Sequence, residues 1–194
     1  MTEIRNVCVY CGSSSRVDQA YKDAAVSLGK LVVDQGWGVV YGGGRVGLMG
    51  LVADSALEQG GTVVGIIPEH IQSREIEHND LTELHIVQTM HQRKQMMVDR
   101  SEAFVILPGG MGTLDEFFEL VTWKQLGLHD KPIVVVNLNG YWTQLIEAIH
   151  NVAAEGFMRD EDLGLFEVVE TVEEVPETLK NAPNEKFDPA TKWI

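Results

Sequence analysis

The residues with the most chemical promise run from Pro108 through Gly109, Gly110, Met111, Gly112, Thr113, Leu114 and Asp115 to Glu116. Glycines let a backbone come close to an anion, and the amides at a helix start face it with the positive end of the helix dipole. Carboxylates follow at once, at Asp115 and Glu116. A phosphate cradle on the amides of Gly110, Gly112 and Thr113, with an acid beside it, suits a reaction on a small phosphorylated molecule. The same residues admit a structural alternative. Thr113 and Glu116 have the spacing of a capping box, in which Glu116 does no more than start a helix.

Other stretches invite chemistry less strongly. Gly42-Gly43-Gly44-Arg45-Val46-Gly47 matches G-x-G-x-x-G between a strand and a helix, the setting of a dinucleotide site. It follows the second strand instead of the first, and Ile67-Pro68 stands where the acid of such a site belongs. No G-K-[ST] is present, which argues against a Walker A loop. Cys8-x-x-Cys11 suggests redox or zinc chemistry, but in a strand the two residues point to opposite faces about 10 Å apart. A disulfide needs Cα atoms within about 7 Å, and no second Cys or His pair is spaced for zinc. Buried reduced thiols and no metal site are expected.

Arg93 and Lys94 lie among methionines, with Arg93, Met97 and Arg100 on one helix face. Bases on a surface helix are common. In a chain of 15 basic and 29 acidic side chains, net charge −14, this pair is also the natural contact for an anion and a base. Asp115, Glu119 and Thr122 share one face of the helix after the glycine run, with Glu116 beside them.

The elements that must hold these groups are legible as near-continuous apolar strands alternating with helices. Strands are predicted at 4–10, 39–41, 62–67, 84–87, 103–107, 132–137 and 166–169, and helices at 17–35, 48–58, from 89, from 113, at 141–155 and at 175–179. Residues 69–81, which include Glu75, read as a long polar loop over the strand ends. The pattern predicts an α/β fold with a parallel sheet covered on both faces. One domain over residues 1–182 and a tail over 183–194 are expected. The acidic balance disfavours a nucleic-acid partner, which needs a basic face. No signal peptide and no apolar run of about 18 residues is visible, so a cytoplasmic protein without a membrane partner is expected.

Pro108-Gly-Gly-x-Gly-Thr-x-x-Glu116, with Arg93-Lys94 and Tyr41-Gly-Gly-Gly44, resembles the LOG family of cytokinin riboside 5′-monophosphate phosphoribohydrolases. The likeness extends from Cys11-Gly-Ser-Ser14 through Trp123-x-Gln-Leu-Gly127 to His129-Asp-Lys-Pro132. It implies a Rossmann-like, doubly wound fold, a homodimer, and hydrolysis of an N6-modified AMP or AMP to free base and ribose 5-phosphate without a cofactor. Arg93 and Glu116 would be the catalytic pair. Glu75, Lys94, Gly109, Gly110, Gly112, Thr113, Asp115 and Thr122 would bind substrate. Two alternatives remain at this stage: a nucleotide-binding sensor without catalysis, and a pyridoxal-phosphate decarboxylase, for which Lys94 is the candidate lysine near the loop.

Overall fold

The computed structural model describes residues 3–72 and 80–182. Runs such as Val63–Pro68 and Ile133–Val136 are buried along their whole length, as strands covered on both faces must be. Seven strands form one sheet: β1 (Asn6–Tyr10), β2 (Gly38–Tyr41), β3 (Val63–Pro68), β4 (Glu83–Val87), β5 (Ala103–Ile106), β6 (Ile133–Val136) and β7 (Glu167–Val169). Their order is β4-β3-β2-β1-β5-β6-β7, and each pairing is parallel. This is the Rossmann-like, doubly wound arrangement expected.

The alternation of side chains in β1 sorts the core into two layers. Val7, Val9 and Cys11 pack with α1 (Gln19–Asp34), α2 (Gly47–Glu58) and α7 (Val175–Asn181). Cys8 and Tyr10 pack with α4 (Met90–Asp99), α5 (Met111–Gln125) and α6 (Thr143–Ala154). The two cysteines therefore lie on opposite faces, both buried and free, and burial pushes both thiols well above their ordinary range.

Local signals hold at some boundaries and fail at others. Thr89 forms its capping box, with its Oγ1 accepting from the Gln92 amide at 3.1 Å and Gln92 Oε1 accepting from the Thr89 amide at 3.3 Å. A short helix, α3 (Glu69–Gln72), opens the stretch read as loop. Residues 73–79, with Glu75, and the expected tail at 183–194 lie outside the described residues. The helix after the glycine run begins at Met111 with Gly110 as N-cap, two residues before the expected start.

The chain winds outward from β1 to β4, then returns to lay β5 on the other side of β1. The loops leaving β1 and β5 thus diverge over adjacent carboxyl ends, where open α/β sheets bind their ligands. Among the described residues no helix is long and apolar enough to cross a membrane.

Candidate active site

Three loops lock together at this switch point. The Gly12 amide donates to Pro108 O at 3.1 Å, and the Leu48 amide donates to Gly12 O at 3.0 Å. Gly47 has φ +70°, and a Cβ there would lie 2.3 Å from the Ser13 carbonyl carbon. Only glycine permits both that conformation and that approach.

The run beginning at Gly42 serves a different purpose from the one its pattern suggests. A Cβ on Gly42 would sit 1.9 Å from Arg93 Nη2. The space that a dinucleotide fingerprint keeps clear for a pyrophosphate is here filled by the protein's own arginine. Arg93 reaches it from the first turn of α4, where the Thr89 cap fixes the helix start. Its Nε donates to Ile66 O at 3.2 Å and its Nη2 to Gly42 O at 3.4 Å. Its Nη1 lies 3.6 Å from Glu116 Oε1. Both partners are buried, with 7% exposure for Arg93 and 8% for Glu116. A buried pair of this kind is costly to break, because either charge left alone lacks its solvation.

The capping-box alternative for Glu116 fails on the same geometry. With Gly110 as N-cap, no side chain caps α5. Thr113 is the third helical residue and is buried against the loop, since a Cβ on Gly109 would lie 2.1 Å from its Oγ1. Glu116 falls inside the helix and turns to Arg93. Gly110 and Gly112 are explained neither by packing nor by backbone conformation: a Cβ on either would meet nothing within 4 Å, and neither has positive φ. Their smallness leaves the first amides of α5 accessible from outside.

Lys94 binds α4 to α5. Its Nζ lies 2.8 Å from Glu119 Oε2 and 3.0 Å from Asp115 Oδ2. Burial works to lower its pKa, but the hydrogen bonds to Glu119 and Asp115 outweigh it and hold the ammonium above its ordinary value. The structure therefore brings Arg93, Lys94, Asp115, Glu116 and Glu119 together beside Gly109, Gly110, Gly112 and Thr113. It leaves Thr122 exposed, nearly two turns beyond Glu116 on α5. Below the site, Tyr10 ends β1 and the buried Cys11 follows it, and burial, reinforced by the Glu116 charge, raises the Cys11 thiol.

The sequence reading misses one contributor and the partner of another. Gly42 was visible as part of a glycine run, but its partner Arg93 lies far along the chain. Tyr141, whose Oη donates to Gly109 O at 2.7 Å, carries no motif at all.

The fold and site define a Rossmann-like α/β protein with a buried arginine–carboxylate pair beside an open, glycine-rich helix start. A family model described as "Possible lysine decarboxylase" matches residues 49–179. The chain is 42% identical over 194 residues to the "Probable cytokinin riboside 5′-monophosphate phosphoribohydrolase LOGL2" of Oryza sativa subsp. japonica, covering 99% of this chain and 80% of that protein. It is 47% identical over 155 residues to the "Cytokinin riboside 5′-monophosphate phosphoribohydrolase" of Rhodococcoides fascians, covering 79% and 78% of the two chains. The chain belongs to the LOG family of phosphoribohydrolases. The molybdenum cofactor carrier protein of Chlamydomonas reinhardtii shares the fold, with a TM-score of 0.72 at 20% identity over 93% of this chain and 98% of that one.

Proposed function

We propose that the protein is a cytoplasmic enzyme that hydrolyses the N-glycosidic bond of adenosine 5′-monophosphates, both N6-modified and plain AMP, to the free base and ribose 5-phosphate. The observation that carries this reading is the placement of buried Glu116 one helical turn from amides that face open space. Gly112 and Glu116 are separated by about 6 Å of helix rise, comparable with the reach of a ribose 5-phosphate from its phosphate to C1′.

In this reading the 5′-phosphate rests on the amides of Gly110, Gly112 and Thr113, next to Gly109. Binding energy from that remote group positions the reacting bond. The C1′–N9 bond breaks, its electron pair leaves with the base, and positive charge builds on the ribose. The Glu116 carboxylate stabilises that charge and takes a proton from the water whose oxygen bonds to C1′. The base gains one proton in exchange. Arg93 holds the carboxylate in place and lends its charge to the nucleotide. Asp115 is already paired with Lys94, yet its side chain is 59% exposed and keeps acceptor capacity for a ribose hydroxyl. Glu75 and Thr122 are assigned to the substrate by family resemblance.

The family description "Possible lysine decarboxylase" finds no support at Lys94. A lysine that carries pyridoxal phosphate must shed its proton, and the two carboxylates on Lys94 hold it protonated. Lys94 does not fit that cofactor.

The enzyme is proposed to work as a homodimer. Ile86 on the edge strand β4 is 54% exposed, and Met111 and Phe118 on α5 are 81% and 43% exposed. These flank α4 on both sides, and a groove of about 610 Å³ runs between β4 and α4 along Ile86, His91, Gln92 and Met96. Covering this face buries apolar surface beside the site. The catalytic reading is tested by incubating the protein with AMP and quantifying adenine and ribose 5-phosphate, which must appear in equal amounts. Tight AMP binding with neither product would instead identify a sensor.

A further inference from the structure

We propose that Tyr141 is a positioning residue for the phosphate cradle, acting through the peptide between Gly109 and Gly110. The proposal rests on the cradle reading given above. The Tyr141 Oη–H donates to Gly109 O at 2.7 Å. That carbonyl belongs to the same planar trans peptide as the Gly110 amide, so the two groups point in opposite directions. Fixing one end of the peptide fixes the other. No Cβ flanks this peptide on either side, so local sterics do little to hold its plane, and a donor on the carbonyl supplies what the glycines lack. The bond also polarises the peptide and makes the Gly110 N–H a stronger donor.

The surroundings show how the chain holds this tyrosine. Tyr141 is 44% exposed, so burial gives it little. Its ring nevertheless meets Tyr21 edge-on at 5.6 Å and Trp142 at 4.6 Å between centroids. The turn that delivers it leaves β6 through Asn139 at φ 54° and Gly140 at φ 73°, and Asn139 is the one non-glycine residue with positive φ among those described. Such a conformation persists only where its surroundings over-determine it. Here Asn137, itself buried, accepts from the Trp142 amide at 2.8 Å and donates to Thr143 Oγ1 at 3.1 Å. A left-handed turn braced in this way places a phenol hydroxyl on one carbonyl of the glycine loop.

Tyr141→Phe removes the donor and keeps the ring contacts. The expected result is a rise of about 3- to 10-fold in KM for AMP, with kcat within about twofold. The inhibition constant of ribose 5-phosphate should rise by the same factor, and that of adenine, which lacks a phosphate, should not move. A purely structural role would weaken both inhibitors together. Unchanged KM and unchanged ribose 5-phosphate inhibition overturn the proposal, and so does an equal loss for adenine. Backbone amide resonances separate this from failure of the cradle itself. If ribose 5-phosphate shifts the Gly110 and Gly112 amides of the wild type while Tyr141→Phe binds normally, only the Tyr141 role falls. If it inhibits without shifting them, the cradle falls and the proposal with it.

Discussion

Replacing Gly42 by alanine places a methyl group 1.9 Å from Arg93 Nη2, where ordinary contact begins near 3.4 Å. The guanidinium must retreat by the difference, about 1.5 Å. That movement gives up the Gly42 carbonyl and swings Nη1 away from its position 3.6 Å from Glu116. A displacement of this size at a reacting pair costs about 100-fold in rate. The fold should tolerate it. Gly42 does not have positive φ, so alanine suits the backbone and recovers about 0.4–1 kcal/mol from the unfolded chain. The lost charge-assisted hydrogen bond costs about 1.5–3 kcal/mol. The net loss of about 0.5–2.6 kcal/mol lowers Tm by roughly 1–10 °C for a domain of this size. The assay is release of adenine from AMP for Gly42→Ala, Arg93→Ala and the double variant. We expect kcat/KM to fall about 100-fold in Gly42→Ala, and the double variant to be no slower than Arg93→Ala, because both act through one side chain. A folded Gly42→Ala protein within about threefold of wild type refutes the reasoning, as do losses that multiply.

Two further predictions concern stability and assembly. His129 accepts from the Lys131 amide through Nδ1 and pairs with Leu120 O through Nε2, and burial holds its pKa down at about 4. The unfolded chain takes up this proton first, near pH 6.5, so the contribution is intact above that pH and is lost as pH falls towards 4. It amounts to about 3 kcal/mol. Urea unfolding at pH 7 and pH 4.5 should show a drop of that order that His129→Gln removes; an identical drop in the variant contradicts the assignment. Light scattering should give twice the mass of the chain, with Phe118→Asp shifting the protein towards the monomer; a monomeric wild type refutes the proposed interface.

What could be read from the sequence was local. Alternation along β1 placed Cys8 and Cys11 on opposite faces, and the uninterrupted apolar run at β6 marked a buried parallel strand. The capping box at Thr89 lies within four residues, from Thr89 to Gln92, and marks the helix start expected there. The same signature at Thr113 misled, because nothing within those residues reveals that Arg93, on another helix, holds Glu116. The glycines at 42–47 showed that something must approach closely; that it is an arginine from α4 is a tertiary fact. Tyr141 and Gly109 are 32 residues apart, and no periodicity or motif couples them.

The central claim, that the Glu116 carboxylate stabilises the charge on the ribose and activates the attacking water, is tested by one comparison. Wild type and Glu116→Gln are incubated with AMP and with N6-isopentenyl-AMP, and free base is followed by chromatography while near-ultraviolet circular dichroism monitors the fold. The account predicts base release by the wild type and a loss of about 100- to 10,000-fold in the variant, with the fold retained. A well-folded Glu116→Gln protein that releases base at near wild-type rate would contradict it.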